Sequence, residues 1–419
     1  MTSHLVKLRD VQSAKNIPAP SYYSSQIAHC PLHTARKITE KIKGSATLVA
    51  GIAECAFYMK NTGSHGDKDS SLFSVVLDWH DVTFGCTAKL EAAFDELIQE
   101  HDPKAVFLVT TCVPEITGDD VDSLAESFHS EYGITVAVVH TEHFKTMQES
   151  AGAQNALGAC IELMKPGDRE ESVNILGQGK KDFKGTELSG ILDAAGIAIG
   201  VYIPDCSVDE LECAAKAKLN IVVDSNAILL AERMEERFQI PYVTFDKHID
   251  PQRVFGAYEH IFSCLNKTLP AAVNIAFEEA CKAIDEVRNK VSGTSFFCEG
   301  TEFPIYEFNA FLCEIGMVPQ LIVTEKFPGK DSVELKTILQ HSDPYVIQML
   351  NQKMLQTMQE ELKPERLFGG RRGGGRGKHK IKRNGFDAII EFVSTLTERR
   401  EEDTWDREHL GQRTRRETI

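Results

Sequence analysis

The chain has 419 residues, enough for two to four domains, and its 42% hydrophobic, 8% aromatic and 26% charged content excludes a disordered or fibrous protein. A net charge of −16 argues against nucleic acid or an anionic membrane surface as the main partner. No window offers the roughly 18 apolar residues of a membrane-spanning helix, the start MTSHLVKLRDVQSAKN lacks the apolar core of a signal peptide, and the eleven cysteines lack paired secretory spacing. The expectation is a cytoplasmic, acidic, multidomain protein.

Short apolar runs alternate with amphipathic stretches almost from end to end, the pattern of parallel α/β sheets. An N-terminal arm over 1–27 precedes a first α/β domain over 28–168, with strands at 45–51 (SATLVAG), 104–112 (KAVFLVTTC) and 134–141 (ITVAVVHT). Helices are expected over 88–101 and 119–133. A second α/β domain over 169–268 carries strands at 197–204, 219–225 and 241–245. A long helix over 270–291 leads into a third, with strand-like runs at 293–300, 318–326 and 365–370, so that this block covers 269–395. The charged tail 396–419 reads as a solvated segment. The fold class is α/β, three Rossmann-like domains with mainly parallel sheets.

Three cysteines stand apart by where they fall. Open parallel sheets bind ligands in the crevice outside the carboxyl ends of their strands. Cys55 follows the strand ending at Gly51, and Cys112 is expected to close the strand VFLVTTC. Cys30 opens a helix, where a thiolate is favoured by the helix N-terminus. Three thiols on turns at one end of a sheet suit an iron–sulfur cluster. Buried free cysteines more often pack as small hydrophobes, which fits Cys160, Cys264, Cys281 and Cys313, and also Cys213 and Cys298; Cys86 and Cys206 stay ambiguous. No CxxC pair suggests a zinc knuckle. His140, Glu142, His143 and Lys145 begin at a strand end and could face the same crevice, with His143 the candidate proton donor. Glu115, Asp119 and Asp120 read chiefly as helix-opening acids.

The array HCPLHTA (29–35), GIAECAFY (51–58), DVTFGCTAKLEAAFDEL (81–97) and VTTCVPEITGDDVDSL (109–124) resembles the nitrogenase component 1 family, whose relatives include dark-operative protochlorophyllide reductase and methylthio-alkane reductase. The TTC-x-x-E-x-x-GDD segment looks most like the β-type subunit. The likeness continues through 215–243 and covers about 28–265 well. It implies three domains around a central cleft. It also implies that Cys30, Cys55 and Cys112 hold a cluster at a subunit interface, either a 4Fe-4S cubane or a larger P-cluster-like 8Fe-7S cluster. The partners implied are a homologous subunit (a heterotetramer, or a homodimer) and an iron-protein-like ATP-dependent reductase; neither nucleic acid nor membrane is expected.

The chain departs from the nitrogenase pattern where the active-site cofactor is held. The expected cysteine and histidine correspond to Asp224, in LNIVVDSN, and Asn384, in RNGFDAIIEF. Loss of a thiolate and an imidazole weakens any hold on an iron–sulfur cofactor, so Asp224 is instead a candidate proton donor. The resemblance implies a subunit of a two-component reductase acting on an organic sulfur compound or a tetrapyrrole; the alternative is a non-catalytic scaffold for metallocluster assembly. The segment 369–383 holds seven Lys or Arg residues between Arg371 and Arg383, suited to an anion or an acidic partner.

Overall fold

The computed structural model describes residues 5–19, 30–62, 71–142, 150–301, 303–348, 352–369 and 384–397. Two compact units emerge. One comprises 22–247 and 253–273, the other 1–21, 248–252 and 274–419.

The first unit holds two four-stranded parallel sheets. β2 (Ser45–Gly51), β3 (Leu72–Val76), β4 (Ala105–Thr110) and β5 (Thr135–His140) are ordered β3-β2-β4-β5. β2 and β4 are buried along their whole length, as central strands of a sheet covered on both faces must be. Alternation then sorts their side chains. Ala105, Phe107 and Val109 face one core, with Leu32, Ala35, Ala156 and Leu157. Val106 and Leu108 face another, with Leu90, Phe94, Leu97 and Phe128. The covering helices are α1 (Pro31–Thr39), α4 (Thr87–His101), α6 (Val121–Tyr132) and α7 (Ser150–Ala159). Helices α2 (Ala53–Thr62), α3 (Trp79–Phe84) and α5 (Cys112–Thr117) follow the ends of β2, β3 and β4.

The second sheet of this unit runs β7-β6-β8-β9, from β6 (Glu170–Leu176), β7 (Ala198–Ile203), β8 (Ala217–Val222) and β9 (Tyr242–Thr244). Its Leu176, Ile203 and Val222 share the apolar cluster of Phe107 and Val139, so one core joins the two sheets.

The other unit contains a five-stranded sheet, order β1-β12-β11-β10-β13, from β1 (Val6–Lys7), β10 (Ser295–Cys298), β11 (Val318–Val323), β12 (Tyr345–Ile347) and β13 (Arg366–Phe368). All pairs are parallel except β1 with β12. Within the N-terminal arm, residues 5–19 pack as part of this unit. They add an edge strand, and Leu8, Val11 and Ile17 are buried in this unit's core. Among the described residues, no helix is long and apolar enough to cross a membrane.

Candidate functional site

Strand register brings one edge of the first sheet into line. Gly51 pairs with Val76, Ala50 with Thr110, and Thr110 with His140. The turns beyond these strand ends therefore emerge at the same carboxyl edge. Cys55 lies in the first turn of α2 and Cys112 opens α5. The expectation that Cys112 closes its strand is corrected by two residues. The strand stops at Thr110, Thr111 stays extended as N-cap (φ −114, ψ −174), and Cys112 is the first helical residue.

Cys55 and Cys112 are close enough to feel each other. Burial raises the Cys55 thiol above its ordinary pKa, the Thr111 hydroxyl opposes this, and the neighbouring Cys112 adds to the rise. Gly51 makes this packing possible. A β-carbon there would come within 2.9 Å of the Thr111 side chain and 3.1 Å of Cys55 Cβ.

Cys30 is the N-cap of α1, extended at φ −70, ψ 123, with Pro31 at the first helical position. It packs against the same apolar cluster as Cys55. A second contact ties the two helix starts together. His33, three residues past Cys30, and Tyr58, three past Cys55, place their rings 6.0 Å apart. That contact brings the first turn of α1 near α2. Cys30, Cys55 and Cys112 are part-exposed thiols, the donor type that iron–sulfur clusters take.

Large apolar side chains stand exposed near Cys55 and Cys112. Phe57 is 71% exposed, Trp79 76%, Phe84 71% and Ile116 66%. Phe57 lies two residues past Cys55 and Ile116 four past Cys112. α3 lies against α5, and the Cys86 amide at the end of α3 donates to Asp119 Oδ1 just beyond α5, at 2.9 Å. Large exposed aromatic groups clustered in this way mark a surface built for contact.

Of the remaining cysteines, five are buried, whereas Cys213, expected to pack as a small hydrophobe, is exposed, and Cys264 and Cys281 are half-buried. Cys86 and Cys206, ambiguous in sequence, are buried with thiols pushed up to about 12 by burial. Cys160, Cys298 and Cys313 are buried as well. They are core.

Asp224 lies two residues past β8 and caps the short 3-10 turn Ser225–Ala227, its Oδ1 accepting from Asn226 N at 2.9 Å. Burial raises its pKa, and Asp246, past the end of β9, adds to the rise. Asp246 itself accepts from the Ser225 amide at 3.1 Å. Gly177, at φ +102 after β6, abuts it so tightly that a β-carbon would come within 2.5 Å of Asp224 Cβ. Asn384 belongs to the other unit and is buried just ahead of the helix Phe386–Thr395. His143, Lys145 and the basic residues 371–383 lie outside the described residues.

Sequence reasoning undervalued Glu115. It turns back from α5 to accept from the Thr110 hydroxyl, and its Oε1 lies 2.5 Å from His140 Nδ1. Glu142 lies close by, so that ligand atoms of Glu115, His140 and Glu142 fall within 4.8 Å of one another. Burial alone would lower the His140 pKa, but Glu115, Asp122 and Glu142 together raise it. The contact follows from the register of two neighbouring strand ends, which the sequence does not show.

The family model of nitrogenase component 1 type oxidoreductases matches residues 30–388. This chain belongs to that family. Among relatives of this component 1 type protein, the iron–molybdenum cofactor biosynthesis protein NifE of Clostridium pasteurianum is 33% identical over 223 residues, 51% of this chain and 49% of NifE. The nitrogenase molybdenum–iron protein alpha chain of Methanosarcina barkeri is 27% identical over 318 residues, 71% of this chain and 59% of the alpha chain. The chain thus spans about half the length of that NifE protein. The solved structure titled "Nitrogenase Cp1 at pH 6.5" superposes with a TM-score of 0.71 at 16% identity, covering 93% of this chain and 95% of the other. That likeness shows the fold.

Proposed function

We propose that this component 1 type protein is a cluster-bearing subunit of a nitrogenase-like two-component reductase, with Cys30, Cys55 and Cys112 holding an iron–sulfur cluster at a subunit interface. What supports the reading is the closeness of Cys55 and Cys112 at one sheet edge, the His33–Tyr58 contact that brings the start of α1 near α2, and the exposed Phe57, Trp79, Phe84 and Ile116 on the neighbouring helices. A bound cluster supplies one-electron transfer between an ATP-dependent iron–sulfur reductase and a substrate or a partner subunit's cofactor. The protein's own part is to offer thiolates from three separate turns and to shield them. Gly51 admits the close approach of Cys55 and Thr111, and the apolar surround lowers solvent access once covered. Three thiols leave a four-iron cubane one ligand short, so the partner supplies a further ligand or the cluster is larger. With Asp224 and Asn384 at the former cofactor positions, the substrate is an organic sulfur compound or a tetrapyrrole taken up directly, or the cofactor lies in the partner.

A second reading has its own support. The NifE relative is by name a cofactor biosynthesis protein, which favours a scaffold that builds and releases a metallocluster. Turnover separates the two. The anaerobically purified complex, given an iron-protein reductase and ATP, either reduces a thioether or tetrapyrrole catalytically or transfers its metal once to an apo-enzyme. Iron and sulfide content of Cys30→Ala, Cys55→Ala and Cys112→Ala tests both at the root, and unchanged iron in all three would remove the cluster assignment.

A further inference from the structure

The acids that follow Cys112 do different work. Asp120 caps α6, accepting from Ser123 N at 3.1 Å. Asp119 accepts from the Cys86 amide and from the Thr117 hydroxyl. Both serve local structure. Glu115 instead reaches across from the end of β4 to the end of β5, where its Oε1 meets His140 Nδ1 at 2.5 Å and the Thr110 hydroxyl.

The frame beneath this contact is held from several sides. Thr110 and His140 are register partners. Asn155 Nδ2 on α7 donates to the His140 carbonyl at 2.8 Å, and the Thr141 hydroxyl donates to the Thr110 carbonyl at 2.6 Å. His140 Nε2 lies 3.5 Å from Asp122 Oδ2.

We propose that Glu115, His140 and Glu142 form a binding site for a divalent first-row transition-metal ion (Mn2+, Fe2+ or Zn2+), distinct from the three-cysteine site. One imidazole and two carboxylates make a borderline-to-hard donor set, which selects such dications rather than a sulfide-rich cluster. Their ligand atoms already lie within 4.8 Å of one another. Metal bonds of about 2.0–2.2 Å put neighbouring ligands roughly 3–4 Å apart, so Glu115 and His140, now in direct contact, must open slightly and the wider spacings must close by about an ångström. Glu115, Asp122 and Glu142 all act on one imidazole, and a dication meets complementary charge there. The place is the carboxyl edge of a parallel sheet, where ligands of such sheets are held. Asp122 faces the other ring nitrogen, its Oδ2 3.5 Å from Nε2, where a carboxylate orients a metal-binding imidazole.

The test uses the full chain, anaerobically purified with its cluster, and Mn2+ as probe, counted by loss of the free-ion electron paramagnetic resonance signal. Wild type takes up one Mn2+ per chain. Glu142→Gln and His140→Ala bind it at least tenfold more weakly with iron and sulfide unchanged, while Cys112→Ala loses iron yet keeps its Mn2+. Because His140→Ala also removes packing at the strand end, melting with and without Mn2+ is read in parallel on the near-isosteric Glu142→Gln, where the ion's stabilisation of wild type is lost. Failure of wild type to take up either Mn2+ or Zn2+ stoichiometrically, or uptake by both variants equal to wild type, overturns the proposal.

Discussion

Gly152 on α7 lies so close to Pro31 on α1 that a β-carbon on it would come within 1.8 Å of the Pro31 carbonyl oxygen. The obstacle is backbone, which no rotamer change relieves. The start of α1 is therefore set by α7, and with it the turn that carries Cys30.

Gly152→Ala accordingly pushes the two helices apart where the first cysteine is presented. Overpacking of this kind costs about 1–3 kcal/mol. The expected result is a lowered urea midpoint together with reduced iron per chain. Gly190→Ala, on a helix where an added β-carbon meets nothing within 4 Å, is the control and should leave iron unchanged. Full iron content in a Gly152→Ala protein of normal stability would show that α7 does not position the turn.

Gly51 gives a second and independent handle on the same donors. A side chain there is wedged between Thr111 and Cys55, so Gly51→Val drives Cys55 away from Cys112. We expect loss of most bound iron with a destabilisation of about 1–3 kcal/mol. Cys160→Ala removes a core thiol distant in role from this edge and should cost stability while sparing iron, and Cys281→Ala, at a half-buried thiol, should spare iron as well. Iron analysis of the three variants decides the matter.

The strand SATLVAG was legible because a central parallel strand, buried on both faces, is a continuous apolar run, and it spans Ser45–Gly51 as expected. β3 is an edge strand with mixed exposure over Leu72–Val76 and gives a much weaker pattern. β1 is two residues long and pairs with Val346 and Tyr345 from the far end of the chain; nothing local foretells that. The cysteine-bearing turns were visible in sequence because each follows an apolar run or precedes a proline. The contact of Glu115 with His140 was hidden, since it depends on the register of β4 against β5, which spacing alone does not fix.

Asp224 supplies a prediction in pH. Its folded-state pKa is raised, by burial first and by Asp246 after it. A carboxyl so shifted prefers to be protonated in the folded chain, so its ionisation costs stability. The cost is absent below the unfolded value of about 4, grows as pH climbs through the folded value, and is then constant. Asp224→Asn keeps an oxygen to accept from Asn226 N and removes the charge. Its urea midpoint should match wild type at acid pH and exceed it at neutral pH. A gain that is the same at every pH would mean that the carboxyl titrates normally.

The exposed aromatic surface beside Cys55 and Cys112 carries the last prediction. Trp79, His80 and Phe84 form a run on α3, with His80 5.9 Å from the Trp79 ring and 4.8 Å from that of Phe84. Trp79 and Phe84 are so exposed that charging them should alter the stability of the isolated chain by no more than about 0.5 kcal/mol. If this surface is covered by a partner subunit, a buried charge there costs far more than a surface one. Trp79→Glu with Phe84→Glu should therefore turn an assembled wild-type particle into a monomer in anaerobic light scattering, with unfolding of the chain itself little changed. Because an interfacial cluster links metal binding to association, the same variant should lose iron although all three cysteines remain. A variant that stays assembled and retains its iron would place the subunit contact on another face of the protein.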